Sequence, residues 1–174
     1  MKTFLILLCL LPSTLTAAAQ NGYSPELIYV LEQLRHSKGL TMQWNPGEPA
    51  KALPFVGGAD VGMGAPGQFF LLLPYFKNWT RPEDVSRMVK DQSPVIRVMA
   101  AYLVAKGGPR FTTMSLASLE KDQAQVEIAT RGCIHERLTV AEIVKRIREN
   151  PDFFGEEWYG MIQAEEALEA KTLH

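Results

Sequence analysis

Apolar residues recur at helical spacing along most of this chain. Leu27, Val30, Leu31 and Leu34 mark a first helix. Ser24 is placed to cap it, Pro25 suits its first position, Glu26 suits its first turn, and Lys38-Gly39 closes it. Between residues 41 and 67 the pattern lapses. Pro46, Pro49, Pro54, Pro66 and a series of glycines predict a long irregular loop, with a short extended piece at Ala52 to Val56. Helical patterning resumes at Gln68 to Asn78, which is apolar on most sides. Thr80, with Glu83 three residues on, reads as a capping box ahead of Val85, Met88 and Val89. Asp91 to Pro94 makes a corner. Pro94 to Lys106 is apolar nearly all round and must be covered on several sides. Gly107-Gly108-Pro109 stops it. Ser115 to Glu120, Gln123 to His135 and Thr139 to Glu149 then read as helices, the last with a capping box of Thr139 and Glu142. Asn150-Pro151 breaks the chain before a last helix from about Gly155 to Lys171. No convincing alternating strand is read. The expected fold is therefore all-α.

Two segments repeat. Lys90-Asp91-Gln92-Ser93-Pro94-Val95 aligns with Lys121-Asp122-Gln123-Ala124-Gln125-Val126. Each follows a short amphipathic segment and leads into a more apolar one, with a weaker echo through Val140, Ile143, Val144, Ile147 and Asn150-Pro151-Asp152. A helix, an Asp-marked corner and a second helix is the pattern of an α-solenoid. Asp91, Pro94, Ile96-Arg97, Ala100-Ala101 and Leu103 resemble the core of a HEAT-type repeat, best over residues 80–106. Over 115–135 Asp122 and Val126 fit, but Glu127 stands where the family has Arg. The resemblance implies a short HEAT-like or armadillo-like α–α repeat core, preceded by an N-terminal helix and a long Gly/Pro-rich loop. It also implies a role in presenting surfaces to other proteins.

Composition adds a destination. Lys2, the apolar run Phe4 to Leu11 and Ala17-Ala18-Ala19 have the layout of a secretory signal peptide, with cleavage expected before Gln20. The division expected is then a signal peptide over residues 1–19, the N-terminal helix and loop over 20–67, and the helical repeat core over 68–174. An exported chain, periplasmic or extracellular, follows. No later stretch is apolar enough to span a bilayer; Phe69 to Phe76 is interrupted by Pro74 and ended by Lys77. The formal net charge of −1 gives no reason to expect nucleic acid as partner. Cys9 leaves with the signal peptide. Cys133, beside Ile134, is expected to be a buried small hydrophobe, with an intermolecular disulfide and a nucleophile as the alternatives.

Several stretches approach a chemical motif and fall short. Gly62 to Gly67 spells G-x-G-x-x-G, but the expected context of loop and helix, with no second strand to pair in parallel, removes the dinucleotide reading. His135-Glu136 opens a zinc motif that Thr139 fails to complete, and His36, His135 and His174 are the only histidines, so no metal site is expected. On a helix, Cys133 and His135 would point apart. The acidic residues Glu156, Glu157, Glu165, Glu166 and Glu169 read as a solvated face. Asn78-Trp79-Thr80 is a glycosylation sequon, relevant only in a eukaryotic secretory pathway. Aromatic residues cluster beside the loop (Trp44, Phe55, Phe69, Phe70, Tyr75, Phe76, Trp79) and near the C-terminus (Phe153, Phe154, Trp158, Tyr159).

The expected function is an exported, non-enzymatic protein-binding or scaffold module, without cofactor. Trp44, Trp79 and Arg97 are the candidate binding residues. The alternative is an exported enzyme with a site between the glycine loop and the core, using Asp60, His36 and Glu83. A third reading is a structural component of an envelope assembly, joined through Cys133 or the C-terminal helix. An open aromatic patch would favour binding; polar groups converging in a closed pocket under the loop would favour an enzyme.

Overall fold

A computed structural model of the chain describes residues 22–40, 45–62, 65–130, 132, 134–150 and 152–172; for residues 158 and 166–172 it describes the backbone alone. The expected signal peptide therefore lies outside the described residues. The expectation of an all-α fold is corrected: among the described residues, six α-helices accompany a three-stranded mixed sheet. In chain order they are α1 (Pro25–Arg35), β1 (Phe55–Gly57), α2 (Gln68–Trp79), α3 (Pro82–Met88), α4 (Pro94–Lys106), β2 (Gln125–Ala129), β3 (Glu136–Thr139), α5 (Val140–Glu149) and α6 (Glu156–Thr172).

Local chemistry explains the helices that patterning anticipated. Ser24 Oγ accepts from Leu27 N at the start of α1, and Pro25 follows it. The four apolar positions of α1 are all buried. α4 begins at Pro94 and carries eight buried side chains, from Val95 to Leu103. At α5 the capping box forms both ways: Thr139 Oγ1 accepts from Glu142 N, and Glu142 Oε2 accepts from Thr139 N at 2.7 Å. At α3 the box sits one residue later than expected. Arg81 is the cap, and Asp84 rather than Glu83 accepts from its N–H at 3.0 Å. Thr80 lies outside the helix, with its hydroxyl buried and without a hydrogen-bond partner among the described residues. Asp84 is completely buried and is charge-compensated by Arg81 and Arg87.

Residues 123–135, expected as a helix, instead hold β2 and the start of a hairpin. Gln125-Val126-Glu127-Ile128 alternates polar and apolar, which is strand period rather than helix period. Val126 and Ile128 face the helical core, and α4 packs against β2. β2 is central: it pairs in parallel with β1 (Phe55 with Glu127) and antiparallel with β3 (Glu127 with Arg137). Gly132, in the connection, has φ of 69°, a left-handed conformation that glycine adopts without a Cβ clash. Of the helix expected over 115–120, only a 3₁₀ turn at Leu119–Lys121 is present.

The two Lys-Asp-Gln segments form the same corner and then diverge. Asp91 Oδ1 accepts from Ser93 N at 2.8 Å, and Asp122 Oδ1 accepts from Ala124 N at 3.0 Å, so both Lys-Asp-Gln segments make the same Asx turn. The first turn delivers the chain into α4. The second delivers it into β2, so the second segment is not a helix–corner–helix unit.

The glycine stretch also differs from expectation, because a parallel partner for β1 does exist. β1 leads through the loop into α2, and β2 lies alongside β1. The glycines there admit close backbone contact. A Cβ on Gly67 would lie 2.5 Å from the Gly57 Cα, and one on Gly58 would lie 2.9 Å from the Thr130 Cα. Met63 and Gly64 lie outside the described residues.

Candidate functional site

α2 has a buried face and an unburied apolar one. Phe69, Leu73 and Phe76 fill the core. Phe70 and Lys77 engage α6, through a ring contact with Tyr159 and an ion pair of 2.8 Å with Glu156. That leaves Leu71, Pro74, Tyr75, Asn78 and Trp79 exposed, spaced so that they form one stripe along the helix. Leu71 is 53% exposed, Tyr75 47% and Trp79 39%. The Tyr75 and Trp79 rings contact each other, with centroids 5.0 Å apart. No charged residue lies in the stripe. The sequon residue Asn78 is within it, whereas Thr80 is buried.

Of the residues picked out for binding, Trp79 is therefore at the surface, at the C-terminal end of this stripe. Arg97 is mostly buried and engaged within the fold. Its Nε and Nη2 donate to the Asp122 carboxylate at 2.6 and 3.2 Å, and its Nη1 donates to the Asp91 and Gln92 carbonyls. Arg97 thus ties one Asx corner to the other. Trp44 lies outside the described residues, as do Cys133 and His174.

The residues picked out for an enzyme sit at the ends of different elements. His36 follows α1, is largely exposed, and approaches Glu32 at 3.9 Å. Asp60 accepts from Gly62 N at 2.7 Å in the loop after β1. Glu83 opens α3 and lies 3.4 Å from Arg81. An open cavity of about 450 Å³ is lined by Arg35, Ser37, Lys38, Asp91 and Ser93 among others; none of the three contributes to its lining. Asp91 there holds Arg35 at 2.6 Å.

Sequence reasoning missed a second polar centre, on the outer face of the sheet. Glu127 points away from the helices, yet its side chain is fully buried. Residues 37–40 and the turn at Glu48 cover it. Leu40 N donates to Glu127 Oε1 at 3.4 Å, Lys38 bridges Pro54, and Arg137 pairs with Glu48 at 2.9 Å. That last contact, with Asn45 behind it, holds the Glu48 carboxyl below its ordinary range. His135 Nδ1 lies 2.5 Å from Glu127 Oε1, and its ring stacks on Phe55 with centroids 5.7 Å apart. Glu127 Oε2 has no hydrogen-bond partner among the described residues, and a Cβ on Gly39 would come within 1.8 Å of it. A polar residue flanked by Val126 and Ile128 in a strand was the available signal. Under a helical reading the same residue is only a departure from the HEAT pattern.

Among the described residues, no group of three or more His, Cys, Asp or Glu is arranged to hold a metal ion, and no helix is long and apolar enough to cross a membrane. No protein-family model matches the chain, and no match to it is found among curated proteins or solved structures.

Proposed function

We propose that this is an exported protein-binding module that presents the outer face of α2 to a partner protein. The observation that carries the reading is the uncharged stripe of Leu71, Pro74, Tyr75 and Trp79 on a helix whose opposite face is anchored in the core. Tyr and Trp supply large contact area at little conformational cost, which is why binding hot spots favour them. From Leu71 to Trp79 the stripe runs about 12 Å at 1.5 Å per residue. A convex helical ridge with anchors four residues apart suits an apolar groove on another protein. Export rests on the N-terminal pattern of charge, apolar run and small residues.

The test compares the mature protein with a Leu71→Asp, Trp79→Asp variant, each immobilised and exposed to the exported fraction of its source cells. Both positions are at the surface, so the melting temperature of the variant should match. The reading expects a protein retained by the unaltered chain and lost by the variant. Equal retention by both would overturn it.

A further inference from the structure

We infer that Glu127 and His135 form an acid–base dyad, and that His135 Nε2 acts as a general base on carboxylic esters with an apolar acyl group. Enclosing a carboxylate that keeps one oxygen unpartnered is strongly unfavourable unless something compensates it. A single imidazole at 2.5 Å and a long contact to Leu40 N are what this carboxylate has among the described residues. Buried, half-satisfied polar groups of this kind concentrate where chemistry is done. The geometry then assigns roles. A carboxylate accepting from Nδ1–H fixes the tautomer in which Nε2 carries the lone pair, and stacking on Phe55 fixes the ring plane. His135 is 17% exposed, so the dyad sits at the surface of the loop-covered sheet face rather than sealed within it. Nε2 has no hydrogen-bond partner among the described residues. The flanking residues bear on the substrate. Leu40, whose backbone N–H reaches the carboxylate, and Ile134, the chain neighbour of His135, are both exposed and apolar, while Arg137, opposite Glu127 in the sheet, is paired with Glu48. The surroundings therefore favour an apolar acyl chain over an anion.

The step balances without a further reactant. Nε2 takes a proton from water as the water oxygen bonds to the ester carbonyl carbon. The bond from that carbon to the alkoxy oxygen then breaks, and the leaving oxygen takes the proton back from His135. One ester and one water give one carboxylic acid and one alcohol. His135 is the catalytic residue. Glu127 is a positioning residue, since it acts through His135 alone.

The test is hydrolysis of p-nitrophenyl butyrate by the mature protein at neutral pH. The unaltered protein should exceed an equal concentration of free imidazole by about a hundredfold or more, consistent with general-base contributions of ~10²–10⁴. His135→Gln should abolish the excess. Glu127→Gln should lower kcat about tenfold or more with KM unchanged, and Glu127→Asp should restore part of it. His36→Gln should have no effect. A rate for the unaltered protein no higher than imidazole overturns the inference and needs no variant that might misfold. So does a loss in His36→Gln equal to that in His135→Gln.

Discussion

Residue 39 shows how closely single positions are constrained here. Gly39 is needed for space: its backbone lies against the Glu127 carboxylate, and a side-chain carbon would meet Oε2. Gly39→Ala should therefore destabilise the fold by about 1–3 kcal/mol, as overpacking typically does, and urea denaturation would show it as a lower midpoint. Arg97 is constrained from the other direction. It is 14% exposed and its partner Asp122 15%. Its loss strands Asp122 and two corner carbonyls. Arg97→Ala should cost about 2–3 kcal/mol, below the ~3–5 kcal/mol of a fully buried broken pair because water still reaches both groups; Arg97→Lys should recover only part, since it cannot reproduce the bidentate contact. Two tyrosines give an alkaline signature. Burial first, and then Asp91, pushes the Tyr23 hydroxyl up from 10.0 to about 12; burial, and then Glu156, raises Tyr102 further. The folded state then holds its phenol protons more tightly than the unfolded one. Both contributions are complete below pH 10; that of Tyr23 is lost as pH rises from 10 through 12, and that of Tyr102 goes on falling above that window. Thermal melts across that window should fall, and Tyr102→Phe should flatten the fall.

Elements separate what was legible from what was not. α1, α2, α4, α5 and α6 could be read because each is long enough to show its period, and most carry their own boundary chemistry. α5 is the best case, since Thr139 and Glu142 satisfy two orphan N–H groups reciprocally. That cap has a pH signature of its own. Hydrogen bonds from Thr139, backbone first, lower the pKa of Glu142. Its contribution is thus present above the ordinary carboxylate range and lost as pH falls through the folded value. Thr139→Ala should cost about 1 kcal/mol and should also weaken the acid dependence of stability. The sheet was harder to read. β1 and β3 are too short to establish a period, and β2 was absorbed into an apparent helix because it follows a corner identical in its first three residues to the one that does open a helix. Pro94 marks the difference. It pre-sets the first turn of α4, whereas Gln125 begins an alternation whose apolar half fits a sheet face. For the same reason the Glu127–His135 pair was invisible: its two members are brought together by the antiparallel hairpin, and a helical reading disperses them.

Among the described residues, a helical layer packs on one face of a small sheet, and residues 37–40 with the turn at Glu48 lie over the other face. That arrangement leaves two surfaces with distinct chemistry: the uncharged stripe of α2 and the polar centre beneath the loop. The stripe's aromatic content was legible in the sequence. Which aromatic residues would be spent on the core was not, because Phe69, Phe76 and Trp79 share one helix and only packing divides them. The α2 stripe is proposed as a contact surface. It is tested most directly by placing the photocrosslinking residue p-benzoylphenylalanine at position 71 and, as control, at position 145, where Lys145 is exposed and far from the stripe in the chain. After irradiation in the exported fraction, the account predicts a protein adduct of defined mass from position 71, absent from position 145 and abolished by Trp79→Asp. Adducts of equal yield from both positions, or one from position 71 that survives Trp79→Asp, would contradict it.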